Sequence, residues 1–138
     1  MTAAGKRAAG PNVVDSSAWL EYFTNGPGAA RFAPAIEAVD RLVVPSVCLL
    51  EVFKVVLRQR GEGDALQAAA LMQQGQVVDL DGALALSAAK LGVEHKLPLA
   101  DSIVYATAQT VEGTVWTQDD DFAGLPGVEF HPKTPPKG

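Results

Sequence analysis

Short apolar runs rich in β-branched residues recur along the chain, and a stretch with helical periodicity separates each from the next. These predicted strands are residues 13–15, 42–44, 77–79 and 114–117, with an edge strand at 128–130. Buried strands that alternate with helices are typical of right-handed crossovers, which build a parallel sheet covered on both faces. The sequence therefore predicts an α/β domain whose mainly parallel sheet has four to five strands flanked by helices.

The segments between the strands carry helix signals of two kinds, apolar positions at helical spacing and breakers at the ends. A first helix is predicted from Ser16 to the break at residues 26–28, and Ser46 is predicted to cap the longest helix. The other predicted helices are 29–39, 47–60, 64–74, 83–95 and 98–111.

The length and composition are those of one soluble domain. The chain has 138 residues, of which 48% are hydrophobic and 20% charged. No apolar run is long enough to cross a membrane, no secretory signal is evident, and Cys48 is the only cysteine, which excludes an internal disulfide. We predict a cytoplasmic protein with a disordered leader at 1–11, a folded domain at 12–131 and a flexible tail at 132–138.

The net charge restricts how the protein could bind nucleic acid. Sixteen acidic residues against eleven basic ones give a formal charge of −5. Proteins that bind nucleic acid without sequence preference gain affinity from lysine and arginine that neutralise phosphates, so this charge by itself argues against such binding. A nucleic-acid function would require the surplus acids to lie in a site where a bound cation reverses the local field.

Several common catalytic motifs are absent from the sequence. The glycine-containing turns at 26–28 and 61–63 lack the lysine and the serine or threonine of a phosphate-binding loop. Neither His95 nor His131 has a partner at the spacing of metal ligands, and one cysteine cannot complete a zinc site. The chemistry has to come from another class of side chain.

Four acids stand at the ends of predicted strands or at the starts of the helices that follow: Asp15, Glu51, Asp101 and Asp119. In a parallel sheet the carboxyl ends of the strands and the starts of the following helices lie along one edge, where ligands bind. We therefore expect all four carboxylates to meet on the same rim.

Each acid also has an interpretation that involves no catalysis. Asp15 would cap the helix that follows it, and Glu51 would pair with Lys54 one turn on. Asp101 suits the first turn of a helix because of the helix macrodipole, and Asp119 would belong to a solvated acidic turn. Any one of these interpretations is reasonable, but four of them holding together along one rim are much less so.

Crowded carboxylates repel one another, and proteins relieve this by protonation or by a bound cation. A ligand set of oxygens, without histidine or cysteine, indicates a hard ion such as Mg²⁺ or Mn²⁺. Such an ion lowers the pKa of a bound water and neutralises charge on a phosphoryl group. The reaction class that uses this set is phosphodiester hydrolysis.

The order and placement of these motifs resemble the PIN-domain family, specifically the VapC-type ribonuclease toxins of type II toxin–antitoxin systems. The last motif, Thr117 to Phe122, resembles the Thr-x-Asp-x-Asp-Phe pattern of that family. The matching segments are residues 13–17, 45–51, 97–108 and 117–122, which together span about 12–130. The resemblance implies a three-layer α/β/α PIN-like fold.

The resemblance also implies a ligand set and a set of supporting groups. Asp15, Glu51, Asp101 and Asp119 would hold the metal, with Asp121 as a further acid. Ser16 and Thr117 would orient carboxylates. Arg58 and Arg60 are candidates for binding RNA phosphates, although both would equally suit the C-terminal end of a helix.

The activity implied is that of a Mg²⁺-dependent endoribonuclease in which a metal-activated water attacks an RNA phosphodiester. The implied partners are a second copy of the chain and a cognate VapB-like antitoxin that blocks the site. Trp19, Tyr22 and Phe23 are predicted core residues, and part of their face is a candidate for the antitoxin. The alternative is a catalytically inactive PIN-like scaffold that binds proteins through its apolar helices, but such a scaffold has no reason to keep four crowded acids.

Overall fold

A computed structural model of the chain describes residues 10–135. It contains one five-stranded sheet in which every neighbouring pair of strands is parallel. The strands are β1 (Asn12–Val14), β2 (Leu42–Pro45), β3 (Gln76–Val78), β4 (Thr114–Thr117) and β5 (Val128–Phe130). Their order in the sheet is β3-β2-β1-β4-β5. The predicted parallel sheet is confirmed.

Within the described part of the chain, six α-helices flank the sheet, and two short 3₁₀ helices occur at Val39–Arg41 and Asp120–Phe122. The α-helices are α1 (Ser16–Phe23), α2 (Ala29–Glu37), α3 (Ser46–Arg60), α4 (Glu62–Met72), α5 (Gly82–His95) and α6 (Leu99–Thr110). The chain passes from β1 to β2 and then to β3 at one edge of the sheet. It then crosses back over β2 and β1 to form β4 on the other side of β1. Because parallel crossovers are right-handed, the outward and return steps place their helices on opposite faces, which agrees with the predicted α/β/α layers.

Several helix boundaries differ from the predicted ones by one or two residues, and two of these differences have a clear local cause. Ser46 is the first residue of α3 and does not cap it, since Pro45 occupies the capping position and makes no side-chain hydrogen bond. Helix α4 begins at Glu62, two residues before the predicted start, because Gly61 adopts a φ of +94° and turns the chain from α3 directly into α4. A left-handed φ of this kind favours glycine.

The central strand β1 is buried along its whole length, and Val13 and Val14 are completely inaccessible. Trp19 is fully buried, as predicted, and so is Cys48. No helix within residues 10–135 has both the length and the apolar character of a membrane span. The predicted leader lies outside the described residues except for positions 10 and 11, and so does the predicted tail beyond position 135.

Candidate functional site

Three carboxylates converge where β1 and β4 end side by side. Asp15 directly follows β1, and its backbone N–H donates to the carbonyl oxygen of Trp116 at 3.1 Å. Asp119 follows β4 by two residues, and Asp101 lies in the first turn of α6. One carboxylate oxygen from each of Asp15, Asp101 and Asp119 lies within 4.8 Å of the other two. We call these residues the carboxylate triad.

Asp15 is the most deeply buried member of the triad, with 2% of its surface exposed. Its Oδ1 accepts hydrogen bonds from Ser17 Oγ at 2.8 Å and from the backbone N–H of Ala18 at 3.2 Å, so Asp15 does cap α1. Burial raises the pKa of Asp15 from 3.8 to about 6, although hydrogen bonds from Ser17, Ala18 and Thr117 act to lower it. The capping interpretation is therefore correct for the local geometry, yet the same side chain also belongs to the triad.

The pKa of Asp101 is raised further than that of Asp15. Burial is the first cause that raises the pKa of Asp101 from 3.8 to about 8, and the negative charge of Asp119 is the second. A hydrogen bond with Asp121 and the charge of Asp15 raise it further. The predicted fifth acid, Asp121, thus contacts the triad through Asp101. At neutral pH the metal-free site keeps a proton on Asp101 to relieve this repulsion.

Glu51, the fourth predicted acid, is not among the carboxylates whose oxygens lie within 4.8 Å of one another. Its Oε1 accepts a hydrogen bond from Ser16 Oγ at 2.8 Å. Because Ser16 is the chain neighbour of Asp15, Glu51 lies at the border of the site. Glu51 lies in the second turn of α3, and the hydrogen bond from Ser16 fixes the position of its carboxylate there.

Both predicted supporting groups, Ser16 and Thr117, form hydrogen bonds with acidic residues of the site. Ser16 holds Glu51, whereas Thr117 Oγ1 accepts the backbone N–H of Asp119 at 2.9 Å and hydrogen-bonds to Asp15. Ser17 was not singled out from the sequence, although its hydroxyl donates to Asp15 and lies 3.5 Å from that of Thr117. The available signal was its position two residues after an acid at the end of a strand.

Removing the Ser17 hydroxyl is expected to weaken cation binding by the triad. Ser17→Ala deletes a hydrogen bond that lowers the pKa of Asp15 and fixes its orientation, and loss of such a supporting bond typically weakens metal affinity about 10–100-fold. Calorimetric titration of the metal-free protein with Mn²⁺ measures this loss. Ser87→Ala, at an exposed position on α5, is the matched control. Equal affinity in wild type and Ser17→Ala would contradict the assigned role.

The two candidate arginines lie on different flanks of α3, and both are exposed. Arg58 is seven residues after Glu51, so it lies on the same helix face about 10 Å further along the axis. Arg60 lines a cavity between α1, α3 and α4 together with Leu20 and Phe23. Of the two arginines, Arg58 is therefore the one that shares a helix face with Glu51.

Two adjacent cavities lie beside α1, and we call them together the α1 groove. Phe23 and Leu71 each line both cavities, one toward α3 and α4 and the other toward α2. Trp19 stacks on Phe23 with ring centroids 5.5 Å apart, and Trp19 is fully buried whereas Tyr22 and Phe23 are only half-buried. The predicted aromatic face is thus divided between the core and this open groove.

Comparisons with known proteins agree on one family. The PIN domain family profile matches residues 13–128, which is more than half of the chain. A toxin–antitoxin complex from Klebsiella pneumoniae is 25% identical, with a TM-score of 0.72 over 86% of this chain and 95% of the other. A VapC toxin of Mycobacterium tuberculosis that cleaves the sarcin–ricin loop is 21% identical, with a TM-score of 0.72 over 88% and 99%. A DNA-bound VapBC complex from Salmonella typhimurium is 17% identical, with a TM-score of 0.69 over 89% and 98%. No curated protein matches the sequence.

Proposed function

The chain belongs to the PIN-domain family, and from this premise we propose that it is a Mg²⁺-dependent endoribonuclease toxin of the VapC type. The observation that carries the proposal is the carboxylate triad at the carboxyl edge of the sheet, with ligand oxygens within 4.8 Å of one another. A catalytically inactive scaffold would have no use for a buried Asp15 beside two more carboxylates, because this arrangement only destabilises a protein that binds no cation.

The triad fits a hard divalent cation. Its donors are carboxylate oxygens. Burial first, and then the negative charges of neighbouring acids, raise the pKa of Asp101 to about 8, and a bound cation would offset both effects. Mg²⁺ is the proposed ion, held by Asp15, Asp101 and Asp119, and Mn²⁺ is its expected substitute. When bound, the ion would supply a water of lowered pKa and neutralise charge on the scissile phosphate.

The protein's own groups then have separate tasks. Asp15 is fixed by its hydrogen bonds from Ser17 and Ala18, so it gives the site a rigid anchor. We assign to Glu51, which Ser16 holds beside the triad, the orientation of the attacking water. Asp121 touches Asp101 from the exposed side and is the acid best placed to exchange protons with solvent there. Arg58 would contact an RNA phosphate beyond Glu51.

The proposed partners are RNA, a VapB-like antitoxin and a second copy of the chain, in the cytoplasm. The α1 groove, lined by half-buried Phe23 and Leu71, is the surface that we assign to an apolar antitoxin segment. Leu86 and Val93 lie seven residues apart on α5 and are 76% and 83% exposed, which provides an apolar stripe for the second copy.

The experiment that tests the function is cleavage of a panel of transfer and ribosomal RNAs by the purified protein, with Mg²⁺, with Mn²⁺ or with EDTA. We expect specific fragments with either ion and none with EDTA, because the triad repels phosphate until a cation is bound. Restoring Mg²⁺ after EDTA treatment should restore cleavage, which separates chelation from denaturation. Cleavage that persists in EDTA after the protein has been freed of metal would refute the mechanism.

A further inference from the structure

Two side chains outside the carboxylate triad join α1 to the end of β4. Glu21 lies on α1, and Gln118 stands between Thr117 and Asp119. The Nε2 of Gln118 lies 3.4 Å from Oε1 of Glu21 and 3.5 Å from the carbonyl oxygen of Ser17. Only 7% of Gln118 is exposed, so its amide depends on partners inside the protein.

The second oxygen of Glu21 holds the turn between α1 and α2. The backbone N–H of Gly28 donates to Glu21 Oε2 at 2.7 Å, a short hydrogen bond to a charged acceptor. A Cβ at Gly26 would collide with the Glu21 carboxylate, and one at Gly28 would lie 3.2 Å from Oε2. The turn is therefore shaped around this carboxylate, which fixes Glu21 in place.

The other side of Gln118 leads to the triad. Its backbone N–H donates to Ser17 Oγ at 3.3 Å, and the same hydroxyl donates to Asp15 Oδ1 at 2.8 Å. Asp119 is the next residue in the chain, so the position of the Gln118 peptide determines where the Asp119 side chain begins. One continuous set of hydrogen bonds thus connects the α1–α2 turn with the Asp15 carboxylate, and the backbone of Gln118 joins this set directly to Asp119.

We propose that Glu21 and Gln118 are positioning residues that hold Asp119 in the geometry in which the triad binds a divalent cation. Mg²⁺ requires ligand distances near 2.0–2.1 Å, so a displacement of Asp119 by about 1 Å is enough to lose it as a ligand. The inference rests on the proposed function only in taking the triad as the cation site, and it does not depend on RNA cleavage.

The test measures the Mn²⁺ dissociation constant of the metal-free protein by calorimetry and by the spectrum of free Mn²⁺ in electron paramagnetic resonance. Glu21→Gln and Gln118→Met keep the length of each side chain but remove the charged acceptor or the amide donor. Each is expected to raise the dissociation constant about tenfold, the lower end of the effect of supporting groups at metal sites. Glu37→Gln is the matched control, since exposed Glu37 on α2 accepts a hydrogen bond from Tyr22 at 3.1 Å and does not contact Gln118.

A double variant separates positioning through Gln118 from a general loss of negative charge. If Glu21 acts through Gln118, Glu21→Gln has no further effect on Mn²⁺ affinity in the Gln118→Met background. Unchanged affinity in both single variants, or losses that multiply in the double variant, would overturn the inference. Circular dichroism checks folding, and Gln118→Leu serves as the second variant if the methionine variant does not fold. A wild type that binds Mn²⁺ but cleaves no RNA would refute the proposed function and leave this inference intact.

Discussion

Asp15→Asn is expected to abolish metal-dependent RNA cleavage and, in the absence of metal, to make the protein more stable. The first effect follows because the asparagine side chain offers the cation a neutral oxygen in place of a charged one at the anchor of the triad. Loss of groups that only support metal ligands already reduces activity about 10–100-fold, so we expect a loss of at least about 100-fold for the ligand itself. Initial rates of cleavage at saturating Mg²⁺ measure it.

The stabilising effect has an electrostatic origin. The folded protein raises the pKa of Asp15 from 3.8 to about 6 because the side chain is withdrawn from water and Asp119 lies nearby. At pH 8 this shift corresponds to about 3 kcal/mol of unfavourable free energy. Asparagine carries no charge and caps helices as well as aspartate, so the hydrogen bond from Ala18 is kept. Denaturant unfolding in EDTA should show a gain of about 1–3 kcal/mol.

The control for this experiment is a second capping aspartate that lies outside the triad. Asp81 caps α5 by accepting the backbone N–H of Leu84 at 2.8 Å, and it is exposed. Asp81→Asn should change neither cleavage nor stability by a measurable amount. An Asp15→Asn protein that is less stable than wild type in EDTA, or that cleaves RNA within tenfold of the wild-type rate (about 1.4 kcal/mol), would show that Asp15 is only a cap.

How much of this site was predictable depends on what positions each residue. Asp15 and Asp119 lie within two residues of the ends of neighbouring parallel strands, so a correct sheet brings them together whatever their side chains do. Asp101 follows for a similar reason, because it stands in the first turn of the helix that packs over those strands. These placements depend on topology, which the alternation of apolar runs and helices reveals.

Glu51, Ser17 and Gln118 show where prediction from one sequence ends. Glu51 is in the second turn of α3. Its side-chain rotamer, which one sequence does not specify, determines whether its carboxylate meets the triad or Ser16. The contact between Ser17 and Gln118 joins residues 101 positions apart through a single hydroxyl. No periodicity records such a contact, because it depends on the packing of α1 against β4. The domain limits at 12 and 131 remain predictions.

The second large effect concerns pH: the metal-free protein is expected to lose stability as the pH rises from about 4 to 8. The folded pKa values of Asp15 and Asp101, about 6 and about 8, both lie above the 3.8 of the unfolded chain. Between these values the unfolded chain has released the protons that the folded chain still holds. Since stability falls with pH wherever the folded state binds more protons, both groups destabilise the fold as the pH rises.

The two acids act in different pH windows, which lets variants separate them. The contribution of Asp15 ends near pH 6 and that of Asp101 continues to about pH 8. Urea unfolding in EDTA at about pH 5, 6.5 and 8 should therefore show a steeper decline between pH 5 and 6.5, which either variant reduces. The decline between pH 6.5 and 8 should be removed by Asp101→Asn and largely kept by Asp15→Asn. Comparing each variant with wild type at one pH cancels contributions from groups that the substitution leaves unchanged.

A bound cation should reverse this trend, because it binds the ionised carboxylates and so competes with their protons. The stabilisation by Mg²⁺ or Mn²⁺ is expected to grow over the same pH range in which the metal-free protein weakens, and to be small at about pH 5. The Asp81→Asn protein should follow wild type throughout. If wild type and Asp101→Asn show the same stability change between pH 6.5 and 8 in EDTA, Asp101 is not held protonated by its neighbours. The fold tolerates the repulsion at Asp15 because the buried valines of the preceding strand β1 stabilise the domain, so the residue that follows the strand can serve the cation.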